Sequence, residues 1–211
     1  MPQSPPTSFT TSPHISNFLI SPAEFLAKRP DIHNIISGAV VFRSTPDNHH
    51  QILLLKRAPS DSFPLKWETP GGTADPVVDR SIAGVAVREL WEETQLRARG
   101  VSGAVGLGLP DGVANLVSLG EVTDARMDQE YDLCLLRLGD LTWGIGTFVV
   151  DVEDAAAEVV LRDDEHVDWA WVCEEEVEGR EFCDGRKLEF VSEAMRMIVL
   201  EAFKVKRKGL S

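Results

Sequence analysis

Cysteine is scarce in this chain. Its 211 residues hold three, Cys134, Cys173 and Cys183, with no CxxC pair and no zinc-ligand spacing. That pattern argues against a disulfide framework and against a cysteine zinc site. An odd count without a secretory signal points instead to reduced thiols in a cytosol-like, cytoplasmic setting. Positive charge is also in short supply: 21 Lys and Arg stand against 34 Asp and Glu, a formal net charge of −13. Such a surface repels nucleic-acid phosphates and anionic membranes, so no specific nucleic-acid partner is expected. No apolar run approaches the ~20 residues that a membrane-spanning helix needs. No internal repeat is legible. The opening sixteen residues, MPQSPPTSFTTSPHIS, lack arginine, which argues against a mitochondrial targeting helix. Their Pro, Ser and Thr content predicts a disordered arm over 1–16, with a single domain over 17–211.

What is present is ample apolar material, 43% of the chain, for one sizeable core. Ser21-Pro22-Ala23-Glu24 has the composition of a helix start and predicts a short helix ending near Lys28, before Pro30. From Ile36 to Phe42 and from Gln51 to Arg57 the pattern is that of buried strands, joined by a turn at Pro46-Asp47-Asn48. His49 and His50 follow that turn with no third ligand at useful spacing, and read as exposed turn residues. Lys56 and Arg57 end the second strand, where they are candidates for binding substrate phosphate or form a solvated strand end. Gly100–Val113 is glycine-rich and weakly periodic. Leu116–Val122, Glu130–Leu138, Thr147–Val152 and Val167–Val172 read as further strands. Lys187–Phe203 reads as a packing helix, followed by a solvated basic tail, Lys204–Lys208.

The densest chemistry lies between Gly71 and Leu96. Arg88-Glu89-Leu90-Trp91-Glu92-Glu93, read as a helix, puts Glu89, Glu92 and Glu93 at i, i+3 and i+4 on one face. Like charges so spaced repel by roughly 0.2–0.5 kcal/mol per pair, and a hard divalent cation converts that repulsion into attraction. A solvated helix face is the ordinary reading of such a run. The preceding Trp67-Glu68-Thr69-Pro70-Gly71-Gly72 changes the balance: it is an extended piece and a Pro-Gly-Gly turn, whose glycines permit positive φ and close backbone approach.

Together these residues resemble the signature of the Nudix hydrolases, G-x5-E-x7-R-E-U-x-E-E-x-G-U, where U is aliphatic. Gly72 matches the opening glycine, and Arg88, Glu89, Leu90, Glu92, Glu93 and Leu96 match the second half in register. The sequence departs from the pattern twice. Val78 stands six residues after Gly72 and Arg80 eight residues before Arg88, so the loop is two residues longer and its glutamate is missing. Asp75 and Asp79 are the nearby acids able to replace it, and Asp79 at the probable helix start could also cap the first turn. Gln95 occupies the position of the last glycine, where positive φ would strain it.

The resemblance implies an α/β/α sandwich with a mixed β-sheet and Mg²⁺- or Mn²⁺-dependent hydrolysis of a nucleoside diphosphate linked to another moiety X. It implies Glu89, Glu92, Glu93 and the Gly72 carbonyl as metal ligands, and Arg88 as the group that orients a carboxylate. Glu165, in the loop before a late strand, is the first candidate for general base, ahead of Glu121 and Glu130. Substrate selectivity would come from Ala58–Leu65, Gly100–Gly112 and Asp124–Gln129, and Trp143 or Phe63 could stack a base. The alternative is a degenerate domain that binds a nucleotide or protein without catalysis.

Overall fold

The structure, a computed structural model, describes residues 8–121, 124–128, 130–162 and 164–209. The strands are β1 Thr10–Thr11, β2 Asn34–Val40, β3 Phe42–Ser44, β4 His50–Arg57, β5 Trp67–Glu68, β6 Gly71–Thr73, β7 Ala98–Val105, β8 Asp124–Met127, β9 Cys134–Leu138, β10 Leu141–Val152 and β11 His166–Val172. The helices are α1 Pro22–Lys28, α2 Ile82–Thr94, α3 Glu174–Gly179 and α4 Glu193–Lys208.

The larger sheet runs β1-β7-β10-β2-β6, with β9 attached to β10 and β8 to β9. It is mixed, since β10 pairs parallel with β2 and antiparallel with β7 and β9. The smaller sheet runs β11-β4-β3, with β5 on β4. Ile52, Leu53, Leu54 and Leu55 of β4 are all fully buried, because the strand is covered on both faces. Alternation divides them. Leu53 and Leu55 join the core under α2, with Ile82, Val85 and Leu90. Ile52 and Leu54 join the core under α4, with Ile198 and Val199. Helix, sheet layer and helix are therefore stacked as an α/β/α sandwich.

The structure corrects several expectations. The N-terminal segment is packed from Thr10 onward: Thr10 and Thr11 pair in parallel with Gly100 and Val101, Ile15 and Phe18 are buried, and Phe18 meets Phe148 edge-on at 5.0 Å. Residues 1–7 lie outside the described part. Burial of Ile15 sets an expected result. Ile15→Ala should cost ~2–4 kcal/mol and lower the melting temperature by several degrees, read by thermal denaturation; an unchanged midpoint would show that the segment is only loosely attached. Gly100–Gly112, weakly periodic in sequence, contains most of β7. Leu116–Leu119 is a 3-10 turn capped by Asn115, not a strand, and Val122 lies outside the described residues. The last helix starts later than its periodicity suggests, at Glu193, capped by Ser192, whose Oγ accepts the Met195 N–H. Residues 189–191 are extended and exchange backbone hydrogen bonds with Trp67, so the apolar spacing of Leu188 and Val191 only imitates a helix. The helix then continues through the basic tail, where Lys206, Arg207 and Lys208 complement its C-terminal dipole and Arg207 pairs with Glu174.

Candidate active site

α2 carries the centre of the site. Ser81 caps it, its Oγ accepting the Gly84 N–H at 3.0 Å, so Asp79 is not the cap. Gln95 ends it in the left-handed region, φ 58°, with its N–H on Trp91 O. The helix thus stops where the motif's glycine would stop it, and the side-chain amide adds a 3.2 Å bond to the same carbonyl. Gly71 and Gly72 do not use positive φ. They allow contact instead: a Cβ on Gly72 would lie 2.5 Å from the Glu89 carboxylate, and one on Gly71 would lie 2.7 Å from Ser37 O.

The three helix carboxylates part company. Glu89 and Glu93 are buried and line a cavity of about 750 Å³ together with Gly71, Gly72, Glu165 and His166. Glu93 Oε2 accepts the Gly71 N–H at 2.9 Å. Glu92 does not line the cavity; its Oε2 takes the Arg88 Nη1 hydrogen bond at 3.0 Å. Arg88 also donates from Nη1 to Glu89 Oε1 at 2.8 Å and makes a bidentate pair with Asp79, 3.0 Å from Nε to Oδ1 and 3.0 Å from Nη2 to Oδ2. Asp79 therefore braces Arg88 from the loop in which the motif's glutamate is missing. The two-residue extension lets it reach back, and its Oδ2 also accepts the Asp75 N–H.

Burial pushes the Glu89 carboxyl up, partly opposed by Arg88. Burial raises Glu93 further, opposed by the Gly71 N–H and reinforced by Glu68, Glu89 and Glu165. Burial works against the Arg88 charge, yet Asp79, Glu89 and Glu92 outweigh it and hold the guanidinium protonated. The raised carboxyl pKa values have a consequence for stability. The folded chain binds these protons more tightly than the unfolded chain, so their contribution is complete below the unfolded glutamate pKa and is lost as pH rises through the folded values. The metal-free melting temperature should fall as pH rises past the ordinary glutamate range, and a saturating divalent ion should shrink that fall by taking the protons' place. A flat metal-free profile would contradict the buried carboxyl pair.

The remaining predicted residues divide. Glu165 lines the cavity at its rim, 38% exposed, with Arg162 at 3.6 Å. Arg57 lines it too, but is tied to Glu68 and Asp61. Lys56 is on the opposite face of β4, its Nζ 5.7 Å from the centre of the Trp67 ring, so its candidacy for phosphate fails. Glu121 and Glu130 do not line the cavity, and Glu130 lies beside Arg29 instead. Of the expected selectivity loops, Ala58–Leu65 contributes Ser60 to Phe63, whereas Gly106–Gly112 and Arg126–Asp128 border a separate cavity. Gln129 lies outside the described residues. Trp143 and Phe63 both reach the cavity, with Leu136, Leu138, Ile145 and Met195 adding apolar side chains to its lining. Among the described residues no helix is long and apolar enough to cross a membrane.

Two residues of the site are new from the structure. Glu68 sits beside His166, 3.3 Å from Oε1 to Nε2, and His166 Nδ1 is 3.9 Å from Glu93 Oε1. One ligand atom each from Glu93, Glu165 and His166 fall within 4.8 Å of one another, an arrangement able to hold a metal ion.

The NUDIX domain profile matches residues 35–191 of the chain. The chain belongs to the NUDIX family. Its matched span includes α2, the Asp79–Arg88 pair and Glu165. A comparison with curated protein sequences finds no match. Similar solved structures include the MutT protein of Methanosarcina mazei Go1, 21% identical with TM-score 0.52, covering 85% of this chain and 98% of that one. The NUDIX domain of Shewanella oneidensis NrtR, solved with ADP ribose, is 17% identical with TM-score 0.52, covering 88% and 98%. The Nudix hydrolase RenU of M. smegmatis is 17% identical with TM-score 0.50, covering 82% and 85%. These likenesses establish the NUDIX fold.

Proposed function

We propose that this NUDIX protein is a metal-dependent hydrolase of the diphosphate linkage in a nucleoside diphosphate joined to a further moiety X. The observation that carries the reading is the convergence of Glu89, Glu93 and Glu165 on a cavity that also presents apolar and aromatic side chains. A diphosphate placed beside these carboxylates would be repelled unless cations intervene, so the carboxylates fit a site for Mg²⁺ or Mn²⁺. Such an ion neutralises phosphate charge and acidifies bound water. The chain's own residues do the rest. Glu93 and Glu89, as carboxylates, would hold the ion. Arg88, locked on Asp79, fixes Glu89 against rotation. Glu165, at the open rim, is placed to accept the proton of the attacking water. Trp143 and Phe63 offer faces for a base, and Arg57 offers a cation at the phosphate side.

The binding-module alternative draws on the missing glutamate and on Gln95; the Asp79–Arg88 pair and the helix end at Gln95 count against it. The unpaired cysteines Cys134, Cys173 and Cys183 fit a reducing, cytoplasmic setting. The test is a panel of nucleoside diphosphate derivatives, ADP-ribose and nucleotide sugars among them, incubated with divalent metal and assayed for phosphate after adding phosphatase. Metal-dependent release from at least one substrate is expected. No release from any, with metal shown to be bound, would refute the hydrolase.

A further inference from the structure

His166 is almost fully enclosed, its side chain 2% exposed, yet Nδ1 has no hydrogen-bond partner. A buried nitrogen left so is uncommon and calls for a physical reason. The other nitrogen settles which tautomer is present. Nε2 faces Glu68 Oε1, which also accepts from Arg57 Nη1. A carboxylate receiving a guanidinium is an anion and an acceptor, so Nε2 carries the hydrogen. In the neutral ring Nδ1 is then a bare lone pair, and it faces Glu93 Oε1 at 3.9 Å. That distance is too long for a hydrogen bond, whichever group carries the proton. A metal ion bonded to both atoms would fit between them.

We propose that His166 Nδ1 is a ligand to the divalent ion held by Glu93 and Glu165, and that this imidazole selects a first-row transition ion such as Mn²⁺ or Zn²⁺ over Mg²⁺. Ligands bonded at ~2.1 Å to one ion lie at most ~4.2 Å apart. The Glu93–His166 distance meets that limit as it stands. The whole triad spans 4.8 Å, and the half-exposed Glu165 is free to close the remainder. The Glu68 carboxylate behind Nε2 completes a carboxylate–histidine–metal arrangement, which fixes the orientation of the ring. The local fold aims the ring. The β11–β4 register shifts between His166 and Asp168, a bulge that sets His166 opposite Arg57 at the cavity edge. Mg²⁺ prefers oxygen and water, whereas imidazole suits transition ions, so a nitrogen in the set shifts the preference.

The proposal rests on the hydrolase reading only for the presence of a metal centre, and its readouts do not use turnover. Untagged, metal-free protein is loaded with one equivalent of Mn²⁺ and examined by pulsed EPR, with natural-abundance and with ¹⁵N-labelled histidine. A directly bound nitrogen should appear and change form with the label. Affinity for Mn²⁺ should exceed that for Mg²⁺ by ~10²-fold or more. His166→Gln should lower Mn²⁺ affinity by ~10-fold or more and leave Mg²⁺ affinity nearly unchanged. The labelled wild-type spectrum decides the matter even if that variant folds poorly. Stoichiometric Mn²⁺ binding without a histidine-nitrogen coupling overturns the ligand and leaves the hydrolase reading standing. The coupling observed in a protein that hydrolyses nothing confirms the ligand and removes the hydrolase.

Discussion

Glu93→Gln is expected to lower kcat by ~10²-fold or more at saturating metal, without destabilising the metal-free protein. The carboxylate is 3% exposed and accepts one hydrogen bond, from Gly71. Glutamine keeps an oxygen for that bond and removes a charge that burial penalises, so the metal-free melting temperature should hold or rise. What is lost is an anionic ligand at the floor of the cavity. The stabilisation that divalent metal confers on the wild type should shrink in parallel. Glu92→Gln is the internal comparison. Its carboxylate is turned toward Arg88 and away from the cavity, so its effect on kcat should be clearly smaller. Equal losses in the two variants would mean that the helix face acts as a unit and that the division seen here is not functional. Near-normal turnover of Glu93→Gln would remove the assignment altogether.

The second large effect concerns Asp79 and Arg88. Asp79→Ala should cost ~3 kcal/mol of stability, because its loss leaves a partly buried guanidinium with fewer anions. The Asp79 side chain is 6% exposed and bonds Arg88 through both oxygens. Arg88→Ala should cost a similar amount and should also lower kcat, since it frees Glu89 and Glu92 to move. The double variant is the measure of their dependence. If Asp79 acts through Arg88, the second change adds little to the first in either stability or kcat. Ser81, not Asp79, caps α2, so a helix-capping explanation of any loss is not available. Strict additivity would mean that Arg88 is held by its other partners and that the longer loop is a surface insertion.

Much of this was legible in the sequence. The helix over Arg88–Glu93 follows from its apolar spacing, and the core strand Gln51–Arg57 from its run of aliphatic residues. Asp75 and Asp79 are the loop acids able to replace the missing glutamate, and Asp79 is the one that reaches Arg88. The facing of the helix carboxylates was less legible. A spacing of three or four residues puts Glu89, Glu92 and Glu93 on one side, but only the neighbouring Asp79 and Arg88 decide that Glu92 turns aside. Lys56 and Arg57 are adjacent cations in sequence, and strand alternation sends them to opposite faces. His166 was missed for a related reason. A residue next to Glu165 should point the other way along a strand, yet Glu165 belongs to the loop and the bulge re-aims His166 into the same cavity. The packing of Thr10–Phe18 was hidden by a composition typical of disorder; its two buried anchors, Ile15 and Phe18, are too few to stand out.

The most direct test of the account is a single-turnover reaction in ¹⁸O-labelled water, using metal-loaded wild type and Glu93→Gln with a substrate found in the panel. Products are read by mass spectrometry. The account predicts two phosphate monoesters from the wild type, one of them carrying a single ¹⁸O from water, and intact substrate from the variant. Products without ¹⁸O, or cleavage by Glu93→Gln at the wild-type rate, would contradict it.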